Sequence, residues 1–177
     1  MKLYLVRHGK TEYNINKLIQ GVIDVPLSDI GKRENEVLKK EIDNINFDIC
    51  ISSPFLRAKE TAKILVDNRC DIIVNDYLKE RSVGKLEGTS VKNYDIKKYW
   101  DINYEKDELN IETPREVLYR AKKFLDYIKD NYKDENILVV SHSGIMKGIH
   151  YNIVGYDDNT DLTEFYSVHN KIYEYEL

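Results

Sequence analysis

Four short apolar runs punctuate the chain: Lys2 to Val6, Asp48 to Ser52, Asp71 to Val74 and Asn136 to Val140. Each is the length of a strand and rich in β-branched or aromatic residues, which predicts buried strands. Between them the apolar residues recur at helical spacing. From Ser28 to Ile45, Val37, Leu38, Ile42 and Ile45 fall on one face, with Ser28 as N-cap. Ser53-Pro54 reads as an N-cap with proline at the first helical position, leading into Leu56, Ala58, Ala62 and Leu65. Thr113-Pro114-Arg115-Glu116 has the form of a capping box and opens a helix whose inner face is Val117, Ala121, Phe124, Leu125 and Ile128. Ile145, Met146, Ile149 and Ile153 predict another helix. The tail from Val168 to Tyr175 alternates apolar and polar residues, as an edge strand does.

Strand and helix alternate throughout, which predicts an α/β fold. The expected architecture is a three-layer α/β/α sandwich with a mainly parallel central sheet and an antiparallel edge strand, one domain over residues 1–177. The longest stretch without a period, Gly84 to Glu112, is expected to form a lid within that domain, because long loops in compact domains are often functional.

Composition narrows the function. A net charge of −4 over 177 residues gives no electrostatic case for nucleic acid or an anionic membrane. No apolar stretch approaches the length of a membrane span, and Met1-Lys2 leads straight into the first strand, so no secretion signal is expected. Cys50 and Cys70 lack zinc or CxxC spacing, which points to a reducing cytoplasm, with Cys50 in the core.

In an open α/β sheet, ligands sit beyond the carboxyl ends of the strands. Strand one ends in Arg7-His8-Gly9. Strand two runs into Ser52-Ser53-Pro54, with Arg57 in the following helix. Strand three is followed by Tyr77-Leu78-Lys79-Glu80-Arg81, and strand four ends in Ser141-His142-Ser143-Gly144. Two histidines, several arginines and a carboxylate thus share one rim, near helix N-termini that favour anions. Imidazole can be a nucleophile and arginine suits phosphate, so the set points to phosphoryl transfer.

These motifs resemble the histidine phosphatase superfamily, whose members include the cofactor-dependent phosphoglycerate mutases. LVRHGKTEYN carries its opening motif, and QGVIDVPLSDIG supplies Gly21, Asp24, Pro26, Leu27 and Gly31. SSPFLRAKETA carries Arg57, LKERSVGKLEG carries Glu80, ETPREVLYR ends in Arg120, and VVSHSGIM carries the second histidine. The six blocks follow in order from Met1 to about Ile153.

The resemblance implies that His8 attacks phosphorus and becomes a phosphohistidine, with Arg7, Arg57 and His142 on the equatorial oxygens. It implies Glu80, rather than Glu87, as the general acid, then base. Gly9, Thr11 and Asn14 are further candidates for phosphate contact. The expected ligand is a small phosphomonoester; no cofactor and no metal are implied, and His150 and His169 are expected to be structural or surface residues. Two features depart from the family pattern. Lys10 stands where glutamate is usual, and Lys85-Leu86-Glu87-Gly88 lacks the usual aromatic. Gly84 to Glu112 also has no arginine, whereas the mutases grip phosphoglycerate there with paired arginines. That favours hydrolysis over mutase activity, the alternative reading. A non-catalytic phospholigand-binding module would be expected to have lost His8, Glu80 or His142, and all three are present.

Overall fold

The computed structural model describes residues 1–177. Its strands are β1 (Lys2–Arg7), β2 (Ile49–Ser52), β3 (Asp71–Val74), β4 (Asn136–Ser141) and β5 (Ile172–Glu176). The helices are α1 (Glu12–Ile15), α2 (Asp29–Glu41), α3 (Leu56–Val66), α4 (Ile96–Tyr99), α5 (Pro114–Asn131) and α6 (Ser143–Val154). One sheet of order β3-β2-β4-β1-β5 runs through the molecule, with β5 alone antiparallel to its neighbour. No helix is long and apolar enough to cross a membrane.

Successive strand residues point to opposite faces, so each strand feeds two cores. Leu3, Leu5, Ile51, Ile137 and Val139 pack against α5 and α6 through Val117, Ala121, Phe124, Ile145 and Ile149. Tyr4, Val6, Cys50, Leu138 and Val140 face α2 and α3 through Leu38, Ala58, Ala62 and Leu65. The expected three layers are present, and Cys50 is in the core.

Three local expectations are corrected. Ser53-Pro54 does not open α3: the N-cap is Phe55, without a side-chain cap bond, and Ser53 turns to His142 instead. On α2, Leu38 and Ile42 are buried but Val37 is 57% exposed. A 3.6-residue turn leaves adjacent positions 37 and 38 too far apart in angle for both to face the sheet. The edge strand begins at Ile172 rather than Val168. Asn170 has φ 55°, in the left-handed region, which breaks the extended run before the ladder with β1 can start.

Register positions the site. Arg7 of β1 lies opposite Ser141 of β4, and Val140 opposite Ser52 of β2. His8, His142 and Ser53 therefore leave the sheet side by side. Within Gly84 to Glu112 the chain forms two 3-10 turns and α4, and buries Tyr99, Trp100, Ile102 and Ile111.

Truncating Phe124, fully buried against the sheet, to alanine should cost about 3–5 kcal/mol in urea unfolding, whereas Val37→Ser should stay within about 0.5 kcal/mol. A comparable loss from both would show that the inward face of α2 has been misassigned.

Candidate active site

His8 follows the last residue of β1 and is almost completely buried. Its Nδ1 lies 2.7 Å from the carbonyl oxygen of Gly9. A carbonyl only accepts, so Nδ1 carries the hydrogen and Nε2 keeps its lone pair, without a partner in the protein. Burial, reinforced by His142, Arg57 and Arg7, holds the ring's pKa well below the usual imidazole value. His8 is thus a neutral base fixed in one tautomer. Gly9 supplies the turn: its amide donates to Thr61 Oγ1, and a Cβ there would lie 2.6 Å from Asn35 Nδ2.

His142 packs against His8, with ring centroids 5.0 Å apart. Arg57 Nε donates to its Nδ1 at 3.2 Å, so Nε2 carries the hydrogen and donates to Ser53 Oγ at 2.7 Å. Burial first, then Arg57 and Arg7, lowers its pKa well below the ordinary value. Both ring nitrogens are engaged, and His142 lies behind the cavity rather than on its wall.

Arg57 is fully buried, yet its charge is not desolvated without compensation. Nη1 donates to Ile23 O at 2.8 Å and Nη2 to Gly21 O at 2.9 Å. With its amide oxygen turned inward, Gln20 accepts from Arg57 Nη1 at 2.7 Å and shares the single Nε hydrogen, at 2.6 Å, with His142 Nδ1, while its nitrogen donates to Thr11 Oγ1. Burial lowers the Arg57 pKa to about 10, which leaves it charged at neutral pH. Arg7 is less completely satisfied. Its Nη1 donates to Ser167 O at 2.9 Å, but its Nε is buried without a partner. An orphaned buried donor costs about 1–3 kcal/mol.

Glu80 forms the opposite side. Its carboxylate accepts from the backbone amides of Arg81 at 2.7 Å and Gly144 at 2.9 Å. Only glycine permits that approach, because a Cβ on residue 144 would lie 2.5 Å from Glu80 Oε1. Arg120 braces the preceding loop, donating to Tyr77 O and Lys79 O while forking onto the Glu112 carboxylate at 2.9–3.1 Å. Glu87 is elsewhere, accepting from the amides of Val22 and Val83.

Arg7, His8, Asn14, Arg57 and Glu80 line a cavity of about 280 Å³, at the small end for ligand sites. Its outer wall includes Leu18, Ile19, Val83, Val91, Ile96 and Trp100. Of the aromatics between Gly84 and Glu112, Tyr94 and Trp100 reach the cavity, whereas Tyr99 and Tyr104 pack against each other. Thr11 does not reach it; its hydroxyl caps α1 and meets Gln20. Lys10 does not either, and pairs with Glu34 at 2.6 Å. Gln20, Ser53, Arg120 and Glu112 escaped sequence reasoning. Only the blocks in which they lie pointed to them, since what they hold is set by tertiary packing.

The histidine phosphatase superfamily (branch 1) model matches residues 3–170. The uncharacterized phosphatase PhoE of Bacillus subtilis (strain 168) is 31% identical over 160 residues, which cover 90% of this chain and 80% of that one. Phosphoserine phosphatase 1 of Hydrogenobacter thermophilus is 28% identical over 174 residues, 94% of this chain and 81% of that one. Among solved structures, a phosphoserine phosphatase of Entamoeba histolytica in complex with 3-phosphoglyceric acid superposes with a TM-score of 0.83 at 28% identity, covering 98% of this chain and 89% of that one. With phosphatases among its relatives and a match along nearly its whole length, the chain belongs to the histidine phosphatase superfamily, whose phosphatases hydrolyse phosphomonoesters.

Proposed function

We propose that this protein hydrolyses a small phosphomonoester in two steps, with His8 as the phosphoryl carrier. The carrying observation is the unpartnered Nε2 of a neutral, buried His8, opening on the same cavity as Arg7 and Arg57. In the first step Nε2 attacks phosphorus in line, the P–N bond forms and the ester P–O bond breaks. A protonated Glu80 gives its proton to the leaving alkoxide. In the second step water attacks phosphorus, Glu80 takes the water's proton, and the P–N bond breaks to release phosphate. Arg7 and Arg57 neutralise charge on the equatorial oxygens, the main contribution a protein makes to phosphoryl transfer. His142 holds Arg57 and backs the His8 ring; binding an oxygen itself requires exchange of its Ser53 partner for phosphate.

The leaving group lies against the apolar outer wall in this reading. Two buried cations border that wall, but their donors are tied to the protein. Arg81 donates to Glu112 O, Tyr94 Oη and Tyr99 O, and Lys147 to Leu162 O and Phe165 O, while both cations flank the Trp100 ring. This supports an uncharged leaving group over the carboxylate-bearing one of the relatives named as phosphoserine phosphatases. Residues 84–112 would close the cavity as a lid within a single domain, and the reaction would need no metal.

Phosphate release measured over aryl, alkyl, sugar and amino-acid phosphates, with excess EDTA, should be highest for the uncharged aryl and alkyl esters. His8→Ala should abolish it and Glu80→Gln should reduce kcat by about 10²- to 10⁴-fold. Turnover that survives in His8→Ala would overturn the mechanism, and a preference for phosphoserine would overturn the leaving-group assignment.

The same histidines couple stability to pH. His8 and His142 are held well below the usual value of 6.5, and His169 at about 4. Below about pH 6.5 the unfolded chain binds protons that the native state refuses, so the native state loses up to about 1.4 kcal/mol per pH unit for each such group. The Tm should therefore fall steadily as pH drops from about 7 to about 5. A flat profile over that window would show that these rings are not held neutral.

A further inference from the structure

The last turn before β5 brings a third imidazole to the nucleophile. His169 is partly buried, and its ring meets His8 edge to face with centroids 5.4 Å apart. Its Nδ1 lies 2.6 Å from the backbone carbonyl oxygen of His8, and since that oxygen only accepts, Nδ1–H donates. We infer that His169 is a positioning residue for His8: it holds the nucleophile's backbone and ring in place without touching the reacting phosphorus. This rests on the reading of His8 as the phosphoryl carrier.

The antiparallel ladder between β1 and β5 ends with Val6 opposite Ile172. His8 lies two residues beyond, where the left-handed Asn170 has already turned the chain away. The amide of His8 is held by Ser141 O of β4, and no backbone amide donates to its carbonyl. The His169 side chain supplies the missing donor. Three bonds then fix His8: Ser141 O on its amide, His169 on its carbonyl, and Gly9 O on Nδ1. On its two flanks the ring is packed by His142 and His169.

The donor is itself held. Asn170 Nδ2 donates to Glu34 Oε2 at 2.8 Å, and Lys10 pairs with Glu34 Oε1, so α2 and the loop after His8 fasten the turn that carries His169. Lys10, which departs from the usual family pattern, therefore acts on the turn and not on a ligand. His169 is not a wall residue of the cavity, which separates its role from those of Arg7 and Arg57.

The test compares His169→Ala, His169→Asn and His169→Phe with wild type and His8→Ala, on one aryl phosphate and with vanadate as a phosphate mimic. Asparagine offers an N–H at a similar reach, whereas phenylalanine restores volume without a donor. Alanine and phenylalanine should lower kcat by about ten- to a hundred-fold, the scale of a small misplacement at a reacting atom. KM and vanadate affinity should stay within about twofold of wild type, and asparagine should recover most of the rate. Equal rates in all three variants, or rescue by phenylalanine and not asparagine, would overturn the positioning role and leave packing alone. Loss of vanadate affinity in parallel with kcat would overturn it too, by making His169 a ligand contact. Turnover in His8→Ala would instead defeat the carrier reading beneath it, so the two failures are distinguishable.

Discussion

The parallel register between β1 and β4 is the constraint on which the rest of the site depends. With Arg7 opposite Ser141, the next residues on both strands are histidines, and they leave the sheet with their rings in contact. A slip by one residue would turn every side chain of one strand to the other face. It would bury Arg7 in an apolar layer and part the two rings. Leu3, Leu5, Ile137 and Val139 on one face, and Tyr4, Val6, Leu138 and Val140 on the other, make such a slip expensive. The cores thereby fix the chemistry at the strand ends.

On that frame the site solves an electrostatic problem. A pocket for a phosphate dianion needs buried cations, and a nucleophilic imidazole needs to be neutral. The two requirements reinforce each other, because burial and the arginines both disfavour a charged His8. Arg57 is tolerated in the interior because backbone carbonyls of Gly21 and Ile23, with Gln20, accept from its guanidinium. The Arg120–Glu112 pair braces the loop that carries Glu80. Glu80 and His8, the acid and nucleophile of the proposed mechanism, face one cavity from different elements.

Much of this was legible in the sequence because it depends on local pattern. Strand periodicity, the Thr113 capping box and the residues that follow each strand give the sheet, α5, and the convergence of Arg7, His8, Arg57, Glu80 and His142. What was not legible depends on tertiary partners. Ser53 looks like a helix cap because proline follows it, and its bond to His142 exists only once β2 and β4 are in register. Gln20 acts on Arg57 and Thr11, and Arg120 on Glu112 and the carbonyls of Tyr77 and Lys79, partners that only the fold brings together. His169 looks like part of an alternating strand, and only the left-handed turn at Asn170 takes it out of the ladder and onto His8. Lys10 stands where the family usually has glutamate, and its partner Glu34 comes beside it only once α2 is packed.

The proposed chemistry turns on a covalent bond between phosphorus and His8 Nε2. The most direct measurement is a rapid quench in base of the wild-type enzyme turning over an aryl phosphate, followed by mass spectrometry of the peptide containing His8. One phosphate per chain is expected on that peptide, stable in base and lost in acid, and absent from His8→Ala. Turnover without a phosphorylated His8 peptide at any quench time, or phosphate carried on another residue, would contradict it.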